Sequence, residues 1–485
     1  MIAAAAPVWG VAPRLPVAAS RASLLHGAIG HLDGFAERPV AWFRGEVASD
    51  DTAVVVDLIY RGIQHGVPIV GIVEGMGITR GAPVGGTSRD RAVAPEAVVD
   101  AAALGLSMLE GWGAIARALT QASGVVPTAL VLDGPCLGAA ALAVGLVDVV
   151  VMTRRGVLLL NRPEASIRMT GSSGLDASRL GGPRAHLASS GIADAVTDDV
   201  DDALAILGDV LSHLPPNNMD LPPVASPYDP HDRSSAAAAQ MVPTDGHASY
   251  DVRDVVRELV DGGAFVELRP AYGTSLVVGL ARVAGQPIGI VASQPSQLAG
   301  ALDVESSQKG ARFVRWCDAF NVPLVTLIDA PGFRPGRDQE WRGIVRHGAK
   351  LAFAYAEATV PRVSLVLRKA YGGAYIVMDC KSMGNDCALA WPQAEIAVMG
   401  AAGAVEILHG RALGEMPGAE GAAQRTRLEQ AYADEHLSPR MAAQRGFIDE
   451  VIDRHATRRV LAEALAALIA KREPPHERRH DNIPL

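Results

Sequence analysis

Lysine is scarce in this chain. Only Lys309, Lys350, Lys369, Lys381 and Lys471 occur, all in the second half, and arginine supplies the remaining positive charge. With acidic residues in excess the net charge is −9, which argues against general binding to nucleic acid. Cysteine is rare as well: Cys136, Cys317, Cys380 and Cys387 form no C-x-x-C pair and have no histidine cluster beside them. A zinc site is not expected, and the thiols read as reduced core residues of a cytoplasmic protein. No apolar run approaches the roughly 18 residues that span a bilayer. The Ala/Pro-rich start, MIAAAAPVWGVAPRLPVAAS, lacks the basic head and apolar core of a signal peptide and reads as an irregular lead-in. What remains is 49% hydrophobic and 20% charged over 485 residues, a core-forming chain long enough for two or more domains.

The chain repeats itself. HGVPIVGIVEG (residues 65–75) reads like FNVPLVTLIDAPG (320–332). SGVVPTALVLDGPCLGAAA (123–141) reads like ATVPRVSLVLRKAYGGAYI (358–376). PRAHLASSGIADAV (183–196) reads like PRMAAQRGFIDEV (439–451), and each member of this last pair precedes an Ala/Leu-rich helical stretch, near 203–214 and 460–470. Three matched blocks in one order argue for duplication. Unequal offsets place insertions in loops, one of them Gly75–Leu106. The stretch 214–249, dense in Pro, Asn, Asp and Ser, is the expected junction, so domains of 1–225 and 226–485 are predicted. Short apolar strands alternating with helices imply α/β layers with right-handed crossovers in each half.

Each Val-Pro strand ends in a turn of small residues, Gly138-Ala139-Ala140 in the first half and Gly373-Ala374 in the second. Ala139 follows Pro127 by the same spacing as Gly373 follows Pro361. A strand-to-helix turn leaves successive backbone N–H groups unpaired, and such a pair can hold a developing oxyanion. Small side chains let a carbonyl approach the backbone. The plainer reading, glycines that permit close helix–strand packing, stays open on pattern alone.

Side chains offer less. There is no G-x-S-x-G elbow and no H-E-x-x-H. Cys136 has no histidine near it in sequence and reads as core. His347 reads as a helix-surface or interface residue before a base. Glu305 and Lys309, four apart on a predicted helix, read as an ion pair, with a substrate-facing Lys309 as the alternative.

The second half strongly resembles the carboxyltransferase (β) subunits of biotin-dependent acyl-CoA carboxylases. The matching stretches are VASQPSQLAGALDVESSQKGARFVRWCDAFNVPLVTLIDAPGF, QEWRGIVRHGAKLAFAYAEATVP, RKAYGGAY and LAWPQAEIAVMGAAGAV. The first half resembles the family more weakly, through ASGVVPTALVLDGPCLG, LGGPRAHLASSGIAD and LPPNNM. The resemblance implies two tandem crotonase-like domains, each a ββα spiral. It also implies a homo- or hetero-hexamer whose active site lies between the N-domain of one subunit and the C-domain of another. The acyl-CoA thioester oxygen would bind the Gly138 and Ala139 amides, beside Leu137. The ureido oxygen of carboxybiotin would bind the Gly373 and Ala374 amides, beside Gly372. Carboxybiotin would release CO2, biotin would take the α-proton, and the enolate would attack CO2, so no side-chain base is required. Ile376 matches the family position that helps select acyl length, and it argues mildly against strict use of propionyl-CoA. The biotin, its carrier and the biotin carboxylase would belong to a partner α-subunit; no metal, nucleic acid or membrane is implied.

The family pattern GPCAGGA reads GPCLGAA here, with Leu137 and Ala139 as the departures. VEGMGITRGAPVGGTSRD replaces a DSGGAR-type loop, and the N-terminal helical segment is abbreviated. These changes fall on the acyl-CoA half and imply an unusual acyl substrate. Two alternatives stand beside this reading: a non-catalytic, architectural β-subunit of a mixed hexamer, and a related acyl-CoA decarboxylase.

Overall fold

A computed structural model describes residues 25–32, 35, 38–77, 95–161, 163–170, 176–226, 229–246, 248–474 and 477–484. The chain forms two compact units, the first ending at Asp220 and the second starting at Leu221. Contacts thus divide the chain slightly before the junction at 225/226 that composition suggests. The expected irregular lead-in over the first twenty residues lies outside the described residues.

In the first unit, strands β1 (His26–Gly30), β2 (Val40–Val47), β3 (Ile69–Met76), β4 (Thr128–Leu132), β5 (Pro135–Leu137), β6 (Val149–Thr153), β7 (Val157–Leu159) and β8 (Ala195–Thr197) make one sheet. Its order is β1-β2-β3-β4-β6-β8, parallel from β2 onward, with β5 bridging β3 and β7. The second unit holds β9 (Phe265–Leu268), β10 (Leu276–Val283), β11 (Gln286–Ser293), β12 (Leu324–Ala330), β13 (Arg362–Tyr371), β14 (Cys387–Ala390), β15 (Glu395–Ala397) and β16 (Glu450–Val451). Its order is β16-β14-β13-β12-β11-β10-β9, parallel from β11 through β16, with β15 beside the end of β13.

The repeat seen in sequence recurs bond by bond. Proline has no N–H and so sits one residue ahead of each strand, where only its carbonyl is needed. Ile69 N donates to Pro127 O and Leu324 N to Pro361 O, both at 2.9 Å. Ala41 N donates to Pro68 O and Gly289 N to Pro323 O, both at 2.8 Å. Aspartates tie the strand starts together in the same way. Asp148 accepts from Thr128 N as Asp386 accepts from Arg362 N, both at 2.9 Å. Asp194 accepts from Val150 N as Asp449 accepts from Ala388 N, both at 2.8 Å. A carboxylate receiving a strand-end N–H satisfies a donor that the ladder leaves over.

The apolar helix faces pack on these sheets. Leu58, Ile59 and Ile115 meet Val73 and Leu132 in the first core; Val252, Val256 and Leu461 meet Val325 and Leu365 in the second. The predicted helices near 203–214 and 460–470 are Val200–Ser212 and Thr457–Leu468. Two expectations are corrected. The region Gly75–Leu106, read as one long loop, is helical from Pro95, because Pro95–Ala122 forms a single helix. The Pro-rich junction carries a short helix, Ala236–Met241, where a run of alanines overrides the surrounding turn residues.

Arg458, on the last of these helices, is fully buried. Its guanidinium donates to Leu259 O at 2.6 Å, to Asp261 at 2.5 Å and to Pro230 O at 3.2 Å. One side chain thus pins the start of the second unit to its closing helix. Arg458→Met leaves Asp261 buried without its cation and should cost about 3–5 kcal/mol. A denaturant titration reads this directly; an unchanged midpoint would remove Arg458 from the stabilising network.

Candidate active site

Both small-residue turns lie where a sheet strand gives way to a short helix. Gly138 has φ +73° and Gly372 has φ +56°, left-handed conformations that glycine adopts without strain. Each glycine swings the chain out of the strand. The helices Ala140–Val144 and Gly372–Val377 then run on with the same faces inward. Ala140 and Ala374 are completely buried, Leu142 and Ile376 are exposed, and the next two residues of each are buried again.

This correspondence aligns Ala139 with Gly373 and Ala140 with Ala374. It corrects one expected donor. The Gly138 N–H donates to Leu159 O at 2.9 Å and is therefore engaged within the sheet. Ala139 N–H has no acceptor among the described residues, and its φ of −58° carries the methyl without strain. At the first turn the open donor is therefore the Ala139 N–H, and Ala140, next in the chain, is completely buried. The equal spacing from the two prolines contained that signal. At the second turn Gly373 and Ala374 fall in the first helical turn, where N–H groups have no intrahelical acceptor.

The surroundings keep each turn tight. A Cβ on Gly77 would stand 2.2 Å from Leu137 O, so only glycine lets β3 end against the first turn. Gly77 is the one described residue of the replaced loop segment beyond β3; residues 78–94 lie outside the described residues. At the second turn a Cβ on Gly372 would stand 3.1 Å from Val398 O, and one on Gly373 would meet the Phe333 ring at 3.4 Å. Tyr371, last in β13, is held by Glu395 of β15. Three residues earlier, Arg368 donates to buried Asp329 at 2.9 Å, and Tyr250 OH reaches the same carboxylate at 2.9 Å. Burial pushes the Asp329 carboxyl up, while Arg368 opposes the shift. Asp329 and Phe333 lie within the matched stretch ending LIDAPGF, but their part in bracing the turn, like that of Tyr250, arises through space. Leu137 is half-buried beside its turn, and Ile376 stands 48% exposed on the helix after the second turn.

The side chains weighed as chemistry are engaged elsewhere. Cys136 is buried, and desolvation pushes its thiol up to about 12. Lys309 does not face the surface. It is buried, and Nζ donates to Arg269 O, Tyr272 O and Leu276 O at 2.9, 2.9 and 2.8 Å. Glu305 pairs with Arg342 instead. His347 is also buried, with Nδ1 3.1 Å from Gln308 Nε2. Desolvation, then Lys350 and Arg346, hold its pKa below the ordinary value. Among the described residues no group of three or more His, Cys, Asp or Glu is placed to hold a metal ion. No helix among them is long and apolar enough to cross a membrane.

Two outcomes follow. An alkylating reagent at neutral pH should leave Cys136 unlabelled in folded protein and label it after denaturation, as peptide mapping by mass would show. The folded state prefers neutral His347, so its contribution to stability is full above the unfolded value near 6.5 and declines as pH falls below it. His347→Gln should flatten that acid limb in a series of melts.

The carboxyl transferase domain model matches residues 97–483. The propionyl-CoA carboxylase beta chain of Saccharopolyspora erythraea is 41% identical over 452 residues, covering 91% of this chain and 78% of that one. The biotin-dependent acetyl-/propionyl-coenzyme A carboxylase beta5 subunit of Mycobacterium leprae is 40% identical over 452 residues, 91% of this chain and 77% of the relative. Among solved structures, the hexameric transcarboxylase 12S, determined with hydrolysed methylmalonyl-coenzyme A, superposes with a TM-score of 0.86 at 36% identity. That match covers 95% of this chain and 85% of the other, and it makes the two units tandem crotonase-like domains. The chain therefore belongs to the carboxyl transferase family, among the carboxyltransferase (β) subunits of acyl-CoA carboxylases.

Proposed function

We propose that this chain moves a carboxyl group from carboxybiotin, borne on a partner carrier chain, to the α-carbon of an acyl-CoA, working as a hexamer in the cytoplasm. The observation that carries the reading is the pair of matched turns. Each ends a strand with a left-handed glycine and is followed by two small residues that lead into a short helix.

The first turn takes the acyl-CoA. The Ala139 N–H donates to the thioester oxygen and holds it more tightly as negative charge grows there during proton loss. The Ala139 methyl and Leu137 narrow the approach and make this the more selective of the two turns. The second turn fits the ureido group of biotin. Gly373 is exposed, its missing Cβ leaves the N–H approachable beside Phe333, and Ala374 N–H follows directly. Carboxybiotin supplies the carboxyl group and, once it has given this up, a nitrogen base for the α-proton. The chain's own work is to bind, orient and stabilise charge through the backbone. That division of labour agrees with a protonated Cys136, an internally bonded Lys309 and a His347 held neutral.

Proline removes a single N–H and is tolerated in the first turn of a helix. Gly373→Pro should lower kcat by about 10²–10³-fold, the usual effect of losing one oxyanion donor. The assay is carboxylation of an acyl-CoA series with biotin carboxylase and carrier supplied, and a thermal melt confirms that the variant folds. A folded Gly373→Pro protein with full activity would defeat the proposal.

A further inference from the structure

Two short helices follow the donor turns, and their side chains alternate identically between buried and exposed. Matching Ala139 to Gly373 brings Leu142 into register with Ile376. Both are large apolar residues left open, at 61% and 48% exposure. On the first helix the neighbours are spoken for: Ala140, Ala143 and Val144 are buried, and Ala141 is half-buried against the core. Leu142 is thus the exposed large apolar side chain of that helix. It lies three residues beyond Ala139, about 4.5 Å along the axis and on nearly the same face. A carbonyl oxygen resting on the Ala139 N–H leaves its carbon substituents within reach of this leucine.

We infer that Leu142 is a specificity-determining residue, the wall against which the α-substituent of the acyl thioester packs. The inference rests on the proposed carboxyl transfer and adds to it the residue that limits the length of the acyl chain. A leucine offers contact area to a methyl or ethyl group and no hydrogen bond to a polar one. Its bulk, added to the Ala139 methyl and Leu137 at the same turn, leaves little space for longer chains.

The test measures kcat/KM over an acyl-CoA series from acetyl to hexanoyl, using the intact protein with biotin carboxylase and carrier supplied. Leu142→Ala should raise the ratio of longer to shorter acyl use by about 10-fold or more, the scale on which a pocket discriminates single methylenes. Leu142→Met, similar in volume, should keep the wild-type ratio. Leu142→Val gives a graded intermediate shift and serves if the alanine variant fails to fold or assemble. A role confined to packing between subunits would move melting temperature or assembly and leave the acyl ratio alone, and that result would overturn the inference. Wild-type protein that carboxylates no member of the series would instead overturn the proposed function, and this inference with it.

Discussion

The site depends on a left-handed glycine at the end of a parallel strand. A strand continuing in extended conformation spends its N–H groups on its neighbours. Gly138 and Gly372 break that commitment by turning the chain at positive φ, so Ala139 and Gly373, which follow them, leave the ladder. For an L-residue with a side chain this conformation costs on the order of 1–2 kcal/mol. At Gly372 the carbonyl of Val398 also stands 3.1 Å from where a Cβ would be. Everything around the turns keeps this one bend in place, from the prolines that start the strands to the aspartates that tie their N–H groups.

Within that shared plan the halves have drifted apart. The first unit splits its strand into β4 and β5 across Asp133 and Gly134, where a Cβ on Gly134 would collide with Glu74 O at 1.9 Å. The second unit runs β13 unbroken from Arg362 to Tyr371 and pins its end through Arg368, Asp329 and the Tyr371–Glu395 contact. Leu137 and Ala139 in the first turn stand where Tyr371 and Gly373 stand in the second. The second turn is thus braced by polar contacts from below, and the first carries the bulkier Leu137 and the Ala139 methyl.

Charge is used in the second unit in a way that local pattern misreads. Lys309, Arg362, Arg368 and Arg458 are all buried there, and each reaches carbonyls or carboxylates far away in sequence. A buried cation stays charged only when its hydrogen bonds are satisfied, so these residues fix how strands and helices meet. Glu305 and Lys309 sit at ideal spacing for a helical pair, yet the lysine turns inward to three carbonyls and Glu305 takes Arg342.

The sequence by itself determined the duplication, the α/β class, the strands behind Pro68, Pro127, Pro323 and Pro361, and the two turns. All of these rest on short-range chemistry: a proline without an N–H, a β-branched run, a glycine where φ must be positive. The long match in the second half made the family legible for the same reason, since its motifs are contiguous. Only the tertiary structure decided which N–H at the first turn is free. Leu159 arrives from β7 to claim Gly138, a partner that no local pattern names. It likewise decided that Phe333 lines the second turn, that Lys309 is buried, and that Leu142 and Ile376 are each left exposed on their own helix. Burial and hydrogen-bond partners belong to the packed chain, where residues distant in sequence compete for the same atoms.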